Sequence, residues 1–336
     1  DSLSSVLPAS TLAVEPAGVS ASASAAGRDP DAVVRPGSTE EVAAVMEWAT
    51  REGVGVLPVG SGRRVRPVQG DGGYVLLVTD RLAGIQEYEA ADLTLSAGAG
   101  TAFAAVAEAL ADNDQWAPFD PPRATERSLG GLVAAGLSGP LHMGYGDLRN
   151  HVLGLTVVTG DGRTLRLGGR VVKNVAGFDV LKSVVGSRGS LAVVTSVVLR
   201  AFPVPPVDRT LVAEGPSVID LLELALGVGT APVLPVSSVL VDALEEADGR
   251  PALVVRLHGA EATVDADQRR LEEHLGATFR VVPDMDRAAL RDHAGTGDAM
   301  IIASHRPCHR EVVVEAIGDL QTTALAVDNY GGRVRE

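Results

Sequence analysis

The chain has 336 residues, of which 46% are hydrophobic and 21% charged, enough apolar material for one large globular domain or two modest ones. Its 29 Lys+Arg against 43 Asp+Glu leave a net charge of −14, which argues against nucleic acid or an anionic membrane surface as partner, and no apolar run approaches the length of a membrane span. A single cysteine, Cys308, excludes an internal disulfide and a cysteine-only zinc or iron–sulfur centre, and fits a reducing, cytoplasmic location.

Residues 1–30 are small, polar and aperiodic around PAGVSASASAAGRDP and read as a flexible N-terminal segment. The first regular element is a short strand at Ala32-Val33-Val34. Ser38 and Glu41 then supply the S-x-x-E spacing of a capping box, predicting a helix that runs to about Glu52. Gly55 to Val59 reads as a strand, with further short strands at 74–79, 84–88 and 93–97 and an amphipathic helix over 101–111. The middle of the chain is glycine-rich. It holds Leu129-Gly130-Gly131 at the start of a small-residue helix, a hairpin around Gly160-Asp161-Gly162, a short helix near 179–184 and a strand over 191–199. The cluster Phe202-Pro203-Val204-Pro205-Pro206 marks a domain boundary. Beyond it strands and helices alternate with little glycine. The expected organisation is therefore a domain over 31–203 and a smaller α+β domain over 207–336.

The stretch PVGSGRRV at 58–65 follows a predicted strand and raises the question of phosphate binding. A Walker A loop needs Gly-Lys-Ser/Thr, whereas Gly62 precedes Arg63-Arg64. A dinucleotide fingerprint must open a helix, and Pro67 with Gly70-Asp71-Gly72-Gly73 forbids one. Two readings survive: a glycine-rich turn, or an anion nest of successive backbone N–H groups.

The order of motifs along the first 200 residues resembles the flavin-binding domain of the PCMH-type (vanillyl-alcohol-oxidase-like) FAD oxidoreductases. Within them it is most similar to the FAD-binding E-type subunits of glycolate oxidases. The resemblance rests on Val34-Arg35-Pro36 with Ser38-Thr39-Glu40-Glu41-Val42, on Pro58-Val59-Gly60-Ser61-Gly62, and on Ala97-Gly98-Ala99-Gly100-Thr101. It continues through Pro118-Phe119-Asp120-Pro121-Pro122, Ser128-Leu129-Gly130-Gly131, Ser138-Gly139-Pro140 and Gly146-Asp147-Leu148-Arg149-Asn150. Its most specific parts are Lys173-Asn174-Val175-Ala176-Gly177-Phe178-Asp179 and Gly186-Ser187-Arg188-Gly189.

The resemblance implies an α+β fold: a PCMH-type FAD-binding domain of two α+β lobes, followed by a smaller ferredoxin-like α+β cap domain. It implies an FAD-dependent oxidoreductase acting on CH–OH donors, with FAD held non-covalently because the first loop lacks the histidine that tethers it in several relatives. Pro58, Val59, Gly60, Ser61, Gly62 and Arg63 would hold the diphosphate, with Arg64 adding charge. The turn Ser128, Leu129, Gly130, Gly131 would add donors at a helix N-terminus. Pro121, Ala135, Ser138, Gly139 and Val193 would line the rest of the cofactor, with plain core packing the other reading of the apolar ones. Where catalytic relatives carry an arginine and a threonine, this chain has Val172 and Ala176, and Arg188 replaces an acid. Those departures point to a relay subunit between a second flavoprotein subunit and an iron–sulfur subunit, in the cytoplasm and peripheral to the membrane through its partners. A stand-alone FAD-linked dehydrogenase or oxidase of a small hydroxy compound and a non-catalytic assembly subunit retaining the fold are the alternatives. Lys173 and Asn174 read as a site floor or as an exposed strand face. His305, Cys308 and His309 read as a helix start rather than a metal site. His151 is the first candidate for a base but reads rather as a surface histidine, and no catalytic base is assigned.

Overall fold

The computed structural model describes residues 12–13, 27–62, 65, 68, 72–169, 179–283, 285, 302–304 and 326–328. The chain forms two compact units. The first comprises Asp1–Ala117, Ala124–Leu137 and Leu148–Pro203; the second comprises Pro118–Arg123, Ser138–Asp147 and Val204–Glu336. Two short segments that the sequence assigns to the first domain thus belong by contact to the second.

In the first unit, β1 (Leu12–Ala13), β2 (Ala32–Val34), β3 (Gly55–Val59) and β4 (Tyr74–Val78) make a sheet in the order β1-β2-β4-β3. Strands β2, β4 and β3 are parallel, and β1, inside the segment expected to be an arm, pairs antiparallel with β2. Helix α1 (Thr39–Glu52) forms the crossover from β2 to β3. Its capping is reciprocal: Ser38 Oγ accepts from the Glu41 N–H at 3.2 Å, and Glu41 Oε2 accepts from the Gly37 N–H at 2.8 Å. Gly53, with φ of 69°, closes it in the left-handed conformation that glycine adopts without strain.

A second, antiparallel sheet follows from β5 (Ile85–Glu89), β6 (Thr94–Gly98), β8 (Val152–Thr159), β9 (Thr164–Gly168) and β10 (Ala192–Arg200), in the order β5-β6-β10-β8-β9. Helix α1 joins the two sheets: Val42, Val45, Trp48 and Ala49 pack with Val34, Val75 and Leu77 of the first and Val158 and Val193 of the second. Strand β7 (Gln115–Trp116) pairs with β11 (Phe202–Pro203), which the sequence does not predict. Helices α2 (Phe103–Ala111), α3 (Leu129–Ala135), α5 (Leu148–His151) and α6 (Val180–Val184) complete the unit. The sequence starts α2 at Thr101. In fact Thr101 Oγ1 accepts from the Gly84 N–H at 3.0 Å, and the helix begins two residues later without a side-chain cap.

The second unit contains α4 (His142–Tyr145) and then β12 (Val207–Glu214), α7 (Val218–Val228), β13 (Ser237–Leu244), β14 (Arg250–Gly259), α8 (Glu261–Leu275) and β15 (Arg280–Val281). These last six follow a βαββαβ order, and the strands lie β15-β12-β14-β13, which is the ferredoxin-like arrangement. Strands β16 (Ile302–Ser304) and β17 (Ala326–Asp328) extend the sheet at the β13 edge. One sheet face, with Leu211, Leu240, Leu253, Val255 and Leu257, packs on Leu221, Leu222 and Ala225 of α7 and Val264 and Leu271 of α8.

Candidate functional site

The loop after β3 is built on a parallel edge strand. Val59 is buried and accepts from the Thr79 N–H at 2.9 Å, which anchors the strand end on β4. The chain then leaves the sheet at Gly60-Ser61-Gly62. Ser61 is exposed with negative φ, whereas Gly62 takes φ of 73°. Such a change of sign turns neighbouring N–H groups toward one side. The backbone N–H groups of Gly60, Ser61 and Gly62 meet no acceptor among the described residues. Three successive free donors at the end of a parallel strand suit a diphosphate, so the residues present fit the group. Arg63 and Arg64 lie outside the described residues.

The Ser128–Gly131 turn is different in kind. Ser128 caps α3, its hydroxyl accepting from the Gly131 N–H at 3.3 Å. The Leu129 N–H donates to the Thr101 carbonyl at 2.8 Å, and the Gly130 N–H to the Ala99 carbonyl at 2.7 Å. The donors expected here for a ligand are therefore already engaged by protein, and the turn's role shifts to support. Glycine at 130 is demanded by packing, since a Cβ would stand 2.6 Å from Ala99 Cβ. A Cβ on Gly60 would collide with Ser128 Oγ and stand 3.3 Å from Ser128 Cβ. The Ser128 side chain thus packs closely on Gly60, and the two glycine loops are not held open for a ligand alone.

At the other end of α3, the turn at 186–190 docks on the helix. The Gly186 N–H donates to Val133 O at 3.0 Å and the Arg188 N–H to Ala134 O at 2.7 Å. A Cβ on Gly189 would lie 3.2 Å from Pro58 Cγ, so this turn also borders β3. Arg188 is held at φ of 56°. Ala135 is half-buried near the end of α3. Val193 is 2% exposed and belongs to the core beneath α1, as the core-packing reading of this position has it. Alternation along β10 sends that side chain into the packing between helix and sheets.

Pro121, Ser138 and Gly139 belong to the second unit. There Asp120 Oδ1 accepts from the Leu141 N–H at 2.9 Å, and the close passage of Asp120 leaves no room for a Cβ at Gly139. His151 is not a surface residue: it is 1% exposed, its ring edge-on to Phe202 at 5.5 Å. Val172, Lys173, Asn174, Ala176, His305, Cys308 and His309 lie outside the described residues.

Sequence reasoning missed a buried cluster in the second unit. Arg256 donates to Asp208 through Nη2 at 2.7 Å and Nε at 3.3 Å. His258 Nε2 lies 3.1 Å from Asp208 Oδ1, and the Tyr145 hydroxyl 2.8 Å from His258 Nδ1. Burial alone would raise the Asp208 carboxyl. The hydrogen bonds from His258 and Arg256, with their charges, outweigh it and hold the group well below the usual carboxylate range. Burial first, then the Asp208 charge, pushes the Tyr145 hydroxyl up.

Residues 30–168 match the family described as FAD binding domain. The matched residues are thus similar to a domain that binds FAD. The chain is 35% identical over 189 residues to glycolate oxidase subunit GlcE of Escherichia coli K12, covering 56% of this chain and 51% of that protein. It is 34% identical over 233 residues to D-2-hydroxyglutarate dehydrogenase of Xanthomonas citri pv. viticola, covering 66% and 48%. Glycolate oxidase subunit GlcD of Bacillus subtilis aligns at 26% identity over 257 residues, 72% of this chain and 54% of that one. The chain thus spans about half the length of the curated relatives it matches. Among solved structures, an alkyldihydroxyacetonephosphate synthase superposes with a TM-score of 0.67 at 19% identity, over 79% of this chain and 55% of that one, a likeness of fold. Among the described residues no helix is long and apolar enough to cross a membrane.

Proposed function

We propose that this chain is the FAD-binding subunit of a glycolate-oxidase-like dehydrogenase complex acting on a 2-hydroxy acid. The observation that carries the reading is the row of unengaged N–H groups at Gly60, Ser61 and Gly62, at the end of β3 within the matched FAD-binding region. These donors hold the diphosphate. The Ser128–Gly131 turn fixes Gly60 in place, and Pro58 is braced by the 186–190 turn. Pro121, Ala135, Ser138 and Gly139 are proposed along the rest of the cofactor. FAD, when bound, supplies two-electron acceptance from a CH–OH carbon and onward transfer. No histidine occurs in residues 58–65, so the cofactor is dissociable.

One cysteine cannot hold an iron–sulfur cluster, so such a centre belongs to a separate subunit, with a further flavoprotein subunit as electron donor. The glycolate oxidase subunits among the relatives support that assembly, and its place is the cytoplasm or the inner membrane face through partners. A second reading, a stand-alone dehydrogenase of a small hydroxy acid, is favoured by the likeness to D-2-hydroxyglutarate dehydrogenase. The visible spectrum of the purified chain tests both, before and after anaerobic addition of glycolate or D-lactate. Flavin bands that persist with either acid support the relay subunit, and bands that bleach support the stand-alone enzyme. Protein that neither retains nor takes up FAD would refute both.

A further inference from the structure

The turn at 186–190 spends its backbone on protein. Besides the two N–H groups that close on the last turn of α3, the Ser187 N–H donates to Val184 O at 3.0 Å and the Ser190 N–H to Ser187 O at 3.1 Å. Gly186 and Gly189 take φ of 85° and 79°, the left-handed region that glycine enters at little cost. Arg188, between them, sits at φ of 56°, where an arginine is strained and glycine or asparagine is the ordinary occupant. No side-chain contact offsets that strain: the half-buried Arg188 makes no side-chain hydrogen bond or ion pair among the described residues. Gly189 borders Pro58, and Gly60 lies two residues beyond Pro58, about 7 Å along a strand. Arg188 is therefore rooted beside the strand that ends at the three free N–H groups of residues 60–62. The carbonyl end of α3 carries partial negative charge, so this turn can offer an anion only a side chain.

We propose that Arg188 is the counter-charge of the cofactor's diphosphate: the N–H groups of residues 60–62 hold it by their partial charges, and the Arg188 guanidinium engages a phosphate oxygen. The ligand rests on the function proposed above, and the residue rests on the geometry of the turn. Amide donors alone leave the formal charge of a diphosphate unneutralised. A guanidinium adds a full charge and paired donors, and hydrogen bonds of that kind are roughly twice as strong as neutral ones. The chain keeps a strained arginine where a relaxed glycine would complete the turn, which is the pattern of strain held at a ligand clamp.

The test is equilibrium dialysis of the purified full chain, freed of flavin, against FAD at low and at high salt. Arg188→Gly and Arg188→Asn suit the left-handed conformation but remove the charge. Each should weaken FAD binding about tenfold at low salt, and the gap should narrow at high salt because a charge–phosphate contact is screened. Arg188→Lys should restore most of the affinity. Without FAD, the Gly and Asn variants should unfold at an equal or higher temperature than the unaltered chain, since each relieves the strain. Unchanged FAD affinity in both variants overturns the proposal and leaves the cofactor reading intact. A loss that is equal at both salt concentrations, or that comes with earlier unfolding in the absence of FAD, also overturns it, because the turn and not the charge has then been lost. If the unaltered chain takes up no FAD, the cofactor reading fails and the proposal fails with it.

Discussion

The contact between Gly60 and Ser128 makes a quantitative prediction. Ser128→Ala removes the cap of α3 and should cost about 1 kcal/mol. Gly60→Ala sets a methyl group against Ser128 Oγ, the nearest atom to a Cβ at that position. The serine can escape only by rotating, which forfeits the same cap, and residual crowding adds about 1–3 kcal/mol. In the double variant the oxygen is absent and the nearest remaining atom is the Cβ of residue 128, at 3.3 Å. The two changes should therefore couple by about 1 kcal/mol or more, and the double variant should be no less stable than Gly60→Ala alone. Both tryptophans of the chain, Trp48 and Trp116, lie in the first unit, so their fluorescence follows its unfolding separately. For a unit of this size about 1 kcal/mol moves the midpoint by roughly 2–4 °C. If the double variant melts lower than Gly60→Ala by the full Ser128→Ala increment, the collision is not what requires glycine at position 60.

Other outcomes follow from the same geometry. Gly62→Ala places a Cβ on a residue at φ of 73°, a strain of about 1–2 kcal/mol. It should weaken FAD binding about tenfold, and equilibrium dialysis with FAD checks this, equal affinity refuting the role of that turn. Asp208 titrates below the ordinary carboxylate range in the folded chain, so it binds protons more readily when unfolded. Its contribution is present above the unfolded value of about 3.9 and drains away as pH falls below it. Protection of the β12 and β14 amides, taken relative to their intrinsic exchange rates at each pH, should fall in acid, and Asp208→Asn should lower protection at neutral pH while flattening that acid response.

What could be read in advance was what is written locally. The α1 cap depends on residues within four positions of one another, and β3 with its loop depends on an apolar run and three small residues. The Asp208–Arg256–His258 cluster depends on the register of two ladders and on Tyr145, which no local pattern connects to them. Amphipathic spacing places Thr101 at a helix start, yet its hydroxyl accepts from the Gly84 N–H and the helix begins later. The sequence offers glycines 60 and 130 as backbone donors to a ligand, whereas much of their necessity lies in close packing, Gly60 on Ser128 and Gly130 on Ala99. Val193 shows the same limit: a motif names a position, and only strand alternation tells which way its side chain faces.

The order in which the second unit is synthesised has a cost. Tyr145 emerges from the ribosome 113 residues before His258, its hydrogen-bond partner. At ~5–20 residues per second that is a wait of about 6–23 s. Throughout that interval Leu141, buried in the finished fold, and Met143 have been made but the strands of their sheet have not. Nascent chains therefore carry an apolar segment whose packing partners do not yet exist. A fragment started at Val204 would meet the opposite problem, a sheet deprived of Pro118–Arg123 and Ser138–Asp147. Dissecting this protein at its proline cluster would separate pieces that the chain wove together.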